Sequence, residues 1–277
     1  MLASHYFADD LTRFCSTPFW NGTHKKSLMP TIRERLGMLR SIAAYYWKPF
    51  NKSRLMRFYG QFVQPNFLCF DVGAHVGNRT NAWLALGAQV IAIEPQPICM
   101  NYMQKRFKGK ANLNLLECAI GPEEGKATMH ISEMTPTVST LSHKAWRDTI
   151  NADTSFEVKW ENEIEVEVVT MDSLIEQYGV PDFVKIDVEN YELEVLQGLT
   201  QAIPCLSVEY YPSTIDNAIE CIQRLESLGK YQYNWSTAES QQFNSVDWIS
   251  ATAMIEIFKQ YGPTDKYGDF YAKLERG

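Results

Sequence analysis

Two stretches of this sequence place charge where a buried strand ends. In "FVKIDVENYE" an apolar run closes on Asp187, with Glu189 and Glu192 just beyond it. In "FLCFDVGAHVG" another closes on Asp71 and enters a turn containing Gly73, Ala74, His75 and Gly77. A strand that passes through a glycine turn into a helix puts backbone at the carboxyl edge of a sheet, where open α/β folds bind ligands. Gly73 and Gly77 are expected to let a ligand approach where a Cβ would intrude. The next strand, "QVIAIEP", ends in Glu94, seventeen residues past Gly77 and placed to accept hydrogen bonds from both hydroxyls of a ribose. The two features together point to a nucleoside cofactor.

The turn also restricts which cofactor. A pyrophosphate needs anion-binding backbone at a helix N-terminus, and Asp71 at the head of this turn would repel it. The GxxxG spacing lacks the third glycine of a dinucleotide fingerprint, and no GxxxxGK[ST] loop occurs. A nucleotide-sugar or NAD enzyme is therefore disfavoured. S-adenosylmethionine, with a sulfonium and an amino group but no phosphate, fits. Methyl transfer from it is an in-line displacement in which alignment supplies roughly 7–11 kcal/mol and a base adds about 10²–10⁴-fold. Asp187 is the expected base, with Glu189 and Glu209, in "SVEYY", sharing the acceptor pocket. The Asp187, Glu189 and Glu192 group reads either as a base with binding neighbours or as a divalent-cation site, since hard cations take carboxylate oxygens. The expectation adopted is the first, with no metal and with Glu192 structural. Lys185 reads equally as an ion-pair partner or a substrate contact. His75 is expected to touch the cofactor or pack beside it, and His143, in a polar loop, is a candidate base on a lid.

These residues need a sheet to position them. From residue 66 the chain runs strand, turn, helix: "NFLCF", "NRTNAWLALG", "AQVIAI", "PICMNYMQKRF", "LNLLECAI". Such units suit a parallel sheet with right-handed crossovers. "GKATMHIS" reads as a hairpin arm and 132–162 as a long functional loop. "EIEVEVVTMDSL" alternates as a half-exposed strand entering a helix capped by Asp172 or Ser173. The pattern resumes with "DFVKIDV", "YELEVLQGL", "CLSVEYY", a helix over 213–228, "KYQYNWS" and a helical "WISATAMIEIFKQYG". Upstream, 31–59 reads as helix, with Ile32, Leu36, Leu39, Ala43 and Tyr46 on one stripe and Pro49 as a break. Four basic residues between Lys48 and Arg57 read as a solvated face or as a contact for an anionic ligand. The tyrosines and tryptophans of "YQYNW" and "YGDFY" are candidates to stack on a sugar, or core.

Composition removes other classes. With 277 residues, 45% hydrophobic, the chain builds a sizeable core. A net charge of −7 argues against a general nucleic-acid binder. The six cysteines form no CxxC pair, and Cys69, Cys118 and Cys205 lie in apolar runs, as free thiols of a reducing compartment do. The N-terminus lacks an apolar signal core, and no run approaches the roughly 18 residues of a spanning helix. A cytoplasmic protein is expected.

In the same order, "FDVGAHVGNRT", "VIAIEPQP", "LLECAIG", "VTMDSLIEQYGVPDFVKIDVENYELEVLQGL" and "LSVEYYP" resemble FkbM-type S-adenosylmethionine-dependent methyltransferases over roughly residues 60–212. The most specific block is "VKIDVENYELEVLQG". The resemblance implies a Rossmann-like class I methyltransferase fold: a mostly parallel seven-stranded sheet with helices on both faces. Residues 61–277 would form that domain, behind an N-terminal helical extension, 1–60. It also implies that Glu117, Cys118 and Ala119 border the adenine, and that the acceptor is a hydroxyl on a glycan or secondary metabolite. The family usually has Gly where this chain has Asn190, and often Asn where it has His75. Asn tolerates a left-handed backbone, so the turn is expected to survive. The alternative function is a catalytically inactive nucleoside-binding protein of the same fold.

Overall fold

The computed structural model describes residues 30–142, 147, 150, 158–262 and 264–275. The main sheet is built from β1 (Leu68–Val72), β2 (Gln89–Ile93), β3 (Leu113–Leu116), β7 (Phe183–Ile186), β8 (Cys205–Tyr210), β9 (Tyr231–Thr237), β10 (Ile249–Ser250) and β11 (Gly268–Leu274), in the order β10-β9-β11-β8-β7-β1-β2-β3. β1, β2, β3, β7 and β8 pair in parallel, while β11 lies antiparallel between β8 and β9. This is the expected seven-stranded, mostly parallel sheet, with the two-residue β10 added at its edge. β11 went unread in the sequence because "GDFYAKL" lacks clean alternation; Phe270, Tyr271 and Ala272 are all buried in it.

Period-two alternation splits each strand between two apolar layers. Phe70, Val72, Ile91 and Ile93 join one core, while Cys69, Val90 and Ala92 join the other. The first is covered by α5 (Met171–Tyr178), α6 (Glu192–Gln197), α7 (Ile215–Leu228) and α8 (Ala251–Phe258). The second is covered by α2 (Asn51–Tyr59), α3 (Asn78–Ala85) and α4 (Pro97–Arg106).

Four local readings change. "LNLLECAI" is not one strand: after β3 the chain leaves the main sheet, and β4 (Ala119–Ile120) joins a second, three-stranded sheet with β6 (Asn162–Val169) and β5 (Gly125–Ile131). The cap of α5 is Thr170, whose hydroxyl accepts from the Ser173 N–H, rather than Asp172 or Ser173. α1 (Ile32–Tyr46) ends before Pro49, as expected, but it buries Gly37, Met38 and Ser41 and leaves Ile32, Leu36 and Leu39 exposed. The boundary expected at residue 60 does not follow the packing. Thr31–Gly277 form one compact unit, because Leu55, Phe58 and Tyr59 of α2 enter the second core.

Candidate active site

A cavity of about 450 Å3 opens along the carboxyl edges of β1, β2, β7 and β8, within the usual range for small-molecule sites. Of the expected residues, Gly73, His75, Glu94, Cys118, Ala119, Asp187, Glu189 and Glu209 line it. Asp71, Ala74, Gly77 and Glu117 do not.

The absences have physical causes. Asp71 is buried behind the turn, where its Oδ2 accepts from the Thr80 N–H at 3.0 Å and the Thr80 hydroxyl at 2.5 Å. It therefore anchors the first turn of α3 rather than facing a ligand amine. Both glycines are demanded by the chain's own packing. A Cβ on Gly73 would collide with the Asp187 carbonyl oxygen, and one on Gly77 would meet the Phe107 ring at 2.7 Å; φ is +81° and +70° there. Ala74 is buried in the second core.

In the cavity wall the Glu94 carboxylate is nearly inaccessible to solvent. It accepts the N–H of His75 and the N–H of Gln96, each at 2.8 Å. Burial raises its pKa to about 7, against the pull of these donors. The His75 backbone is left-handed (φ 50°), its ring packs edge-on to Tyr45, and its buried Nε2 has no hydrogen-bond partner. Burial lowers its pKa to about 4, so the imidazole is neutral at pH 7. An unpartnered buried imidazole nitrogen beside a strand-end carboxylate is a site that a nucleoside cofactor with polar substituents fits.

Around Asp187 the cavity wall is built from charge. Lys185, with no solvent exposure, lies 3.1 Å from Asp187 and 2.6 Å from Asp269. It is an ion-pair partner and does not line the cavity. Arg79 lies 3.4 Å from Asp187 and 3.4 Å from Glu239. Burial alone would push the Asp187 carboxyl up, but Lys185, then Arg79, hold it well below the usual carboxylate range. Oxygens of Asp187, Glu189 and Glu209 all lie within 4.8 Å of one another, close enough to share a cation. Burial, then the charge of Asp187, raise the pKa of both Glu189 and Glu209. Three carboxyls this close oppose one another's ionisation: the charge is favoured on Asp187 and disfavoured on its two neighbours.

Glu189 and Asn190 both adopt left-handed backbone, at φ 59° and 65°. A non-glycine pair in that region is strained, as functional turns often are. Here it is held from three sides. The Glu189 carbonyl accepts from Thr140 Oγ1 at 2.7 Å, and its carboxyl accepts from the Tyr211 hydroxyl at 2.6 Å. Asn190 Oδ1 accepts from Thr214 Oγ1 at 2.6 Å, while its Nδ2 donates to Ser142 Oγ at 3.3 Å. Asn190 thus keeps the turn that glycine would make, and it binds Ser142, which adjoins the cavity-lining stretch 137–141. Glu192, fully buried, accepts the N–H groups of Val188 and Asn190 and is structural. His143 lies outside the described residues.

Sequence reasoning missed Arg79, Tyr45, Tyr211 and Glu239, all of which line the cavity. Arg79 and Tyr211 adjoin motifs already singled out, in "GNRT" and "EYYP". Tyr45 and Glu239 carry no local signal. Of the aromatic candidates, Tyr267 reaches the cavity and stacks on Tyr211, with ring centroids 6.0 Å apart, while Phe270 and Tyr271 are core.

Residues 71–262 match the model of the methyltransferase FkbM domain. The chain belongs to this family. It is 28% identical over 138 residues to the hexuronic acid methyltransferase AglP of Haloferax volcanii, a match covering 48% of this chain and 50% of AglP. The chain thus spans about half the length of that curated relative. Among solved structures it is similar to a precorrin-6y C5,15-methyltransferase of Geobacter metallireducens (12% identity, TM-score 0.44, covering 83% of this chain and 91% of that one). It is also similar to a TehB-like S-adenosylmethionine-dependent methyltransferase of Corynebacterium glutamicum (10% identity, TM-score 0.44, covering 86% and 94%).

Proposed function

We propose that this FkbM-family protein is an S-adenosylmethionine-dependent O-methyltransferase acting on a hydroxyl of a glycan or other polyhydroxylated metabolite. The observation that carries this reading is that one cavity is lined both by Glu94 and His75 and by Asp187, Glu189 and Glu209. Gly73, His75, Glu94, Cys118 and Ala119 would hold the cofactor. When bound, S-adenosylmethionine supplies a methyl group already activated on a sulfonium.

The chain's own residues then have two tasks, alignment and proton handling. Asp187, kept ionised by Lys185 and Arg79, accepts the hydrogen bond of the acceptor hydroxyl and turns an oxygen lone pair toward the cofactor. As that oxygen gains a carbon its proton becomes strongly acidic, so an anion of low basicity suffices to receive it. Glu189 and Glu209, as neutral acids, donate to adjacent hydroxyls. Tyr211 and Tyr267 offer ring surface to a sugar. A region lined by so many acids favours neutral hydroxyls, and the carboxylate of a hexuronic acid would face Lys266 at the cavity wall instead. A cytoplasmic setting rests on the five described cysteines, all buried free thiols.

Calorimetry with S-adenosylhomocysteine and with NAD, followed by methylation assays on neutral hexoses and hexuronic acids, tests the reading. Binding of the former alone and turnover on a hydroxyl acceptor are expected. Absence of S-adenosylhomocysteine binding would overturn it. Binding without turnover on any acceptor would leave the nucleoside-binding alternative. The proximity of the three carboxyls supports a second reading, a divalent cation held there; turnover would then stop with a chelator and return with the cation.

A further inference from the structure

The α1–α2 hairpin carries features that neither the cavity nor the fold explains. Eight large apolar side chains stand exposed among the described residues, and five of them lie within Ile32–Phe50. Ile32, Leu36 and Leu39 form a stripe at helical spacing, opposite the face on which α1 buries Gly37, Met38 and Ser41. Trp47 and Phe50 extend it over the tip, 74% and 81% exposed. Phe50 stands there with a left-handed backbone (φ 59°).

The charge of the hairpin is as uneven. Residues 31–59 hold seven lysines and arginines and one acid, Glu34, although the whole chain is −7. Arg35 and Arg40 flank the apolar stripe, and Lys48 and Lys52 flank the aromatic tip; all four are exposed. Apolar and aromatic side chains bordered by bases are what a helix lying in a membrane interface requires: rings and aliphatic groups enter the headgroup boundary while the cations meet anionic lipid. Other occupants fit less well. A two-fold contact of hairpin on hairpin would oppose like charges. Residues 1–29 contain three bases and two acids and so offer no charge complement.

We infer that the α1–α2 hairpin is a docking face for the surface of an anionic lipid bilayer. It is a peripheral contact, since no described helix is long and apolar enough to cross a membrane. α1 also lines the cavity through Tyr45, on the side away from the stripe, so the docked bilayer would lie about one helix diameter, roughly 10–12 Å, from the cavity wall.

Co-sedimentation of the full chain with vesicles tests this without reference to catalysis. The wild type should bind vesicles of phosphatidylcholine mixed with phosphatidylglycerol, bind pure phosphatidylcholine far less, and lose affinity as salt screens the charges. Trp47→Gln with Phe50→Asn removes both rings while keeping a residue that tolerates the left-handed position; partitioning should fall at least about tenfold. Lys48→Gln with Lys52→Gln should lower it roughly 25-fold, near fivefold for each base at about 1 kcal/mol. Leu36→Gln with Leu39→Gln, on a different part of the face, should also weaken it. Unchanged thermal melting and S-adenosylhomocysteine affinity show that the variants remain folded. Failure of the wild type to bind the anionic vesicles overturns the proposal. So does loss on removing the bases with no effect of the apolar changes, which marks a simple polyanion contact. A dimer that the apolar variants dissociate, with no vesicle binding, assigns the face to a second copy and also overturns it.

Discussion

Glu94, on one side of the cavity, is held by two backbone N–H groups, whereas Asp187 is held by two cationic side chains, Lys185 and Arg79. Backbone donors fix a carboxylate's place but leave its charge to burial, and the pKa of Glu94 rises to about 7. Cations fix the charge as well: they hold the Asp187 carboxyl well below the usual carboxylate range, while burial and the Asp187 charge push Glu189 and Glu209 beside it up. Backbone donors and buried cations thus set two carboxyls of one cavity in opposite directions. The two sides meet at Gly73, whose missing side chain lets β1 and β7 close on each other.

Breaking that meeting point should have the largest effect. Gly73→Val drives a side chain into the Asp187 carbonyl at a positive φ, and we expect a loss of more than about 4 kcal/mol or no folded protein at all. Circular dichroism and urea titration check this; a stable, folded variant would show that the two sides can move apart. Asp187→Asn removes the anion and should lower turnover by about 10²–10⁴-fold, with S-adenosylhomocysteine affinity nearly unchanged in calorimetry. Lys185→Met leaves Asp187 and Asp269 without their shared buried cation, and unfolding should become easier by about 3–5 kcal/mol.

Smaller effects sharpen the Glu94 side. Glu94→Ala should weaken S-adenosylhomocysteine binding by about 1.5–3 kcal/mol and leave Asp187 chemistry intact at saturating cofactor. The smallest effect is a pH slope. The buried Glu94 holds its proton up to about pH 7, above the 4.5 of the free side chain. Over that window the folded state binds more protons than the unfolded one. Glu94 therefore contributes a loss of stability as pH rises, at most about 1.4 kcal/mol per pH unit. Urea titrations of wild type and Glu94→Gln at several pH values should differ by this slope. Equal slopes would show that Glu94 does not titrate there.

The sequence by itself determined most of the order of strands and helices, β11 and the break after β3 excepted, the carboxyl edge where ligands would sit, and most of the strand-end residues facing the cavity, because apolar runs, glycine turns and strand-end acids are local features. Asp187, Glu189, Glu209, Glu94 and His75 were readable for that reason. Other properties depend on distant segments and had no local mark. Asp71 looked like a ligand group until Thr80, on the next helix, took its carboxylate. The glycines looked like ligand clearance until Asp187 and Phe107 occupied the space. The stripe on α1 was legible as a stripe but its exposure was not, because periodicity shows that a helix has an apolar side but not which side meets the sheet. Tyr45 and Glu239 come from segments far apart in the chain and reach one cavity only through tertiary packing. The ionisation of Asp187 is likewise tertiary. Lys185 is its neighbour in sequence, but Asp269 and Arg79 arrive from β11 and α3, and a pKa is set by every charge within a few ångströms, wherever in the chain it originates.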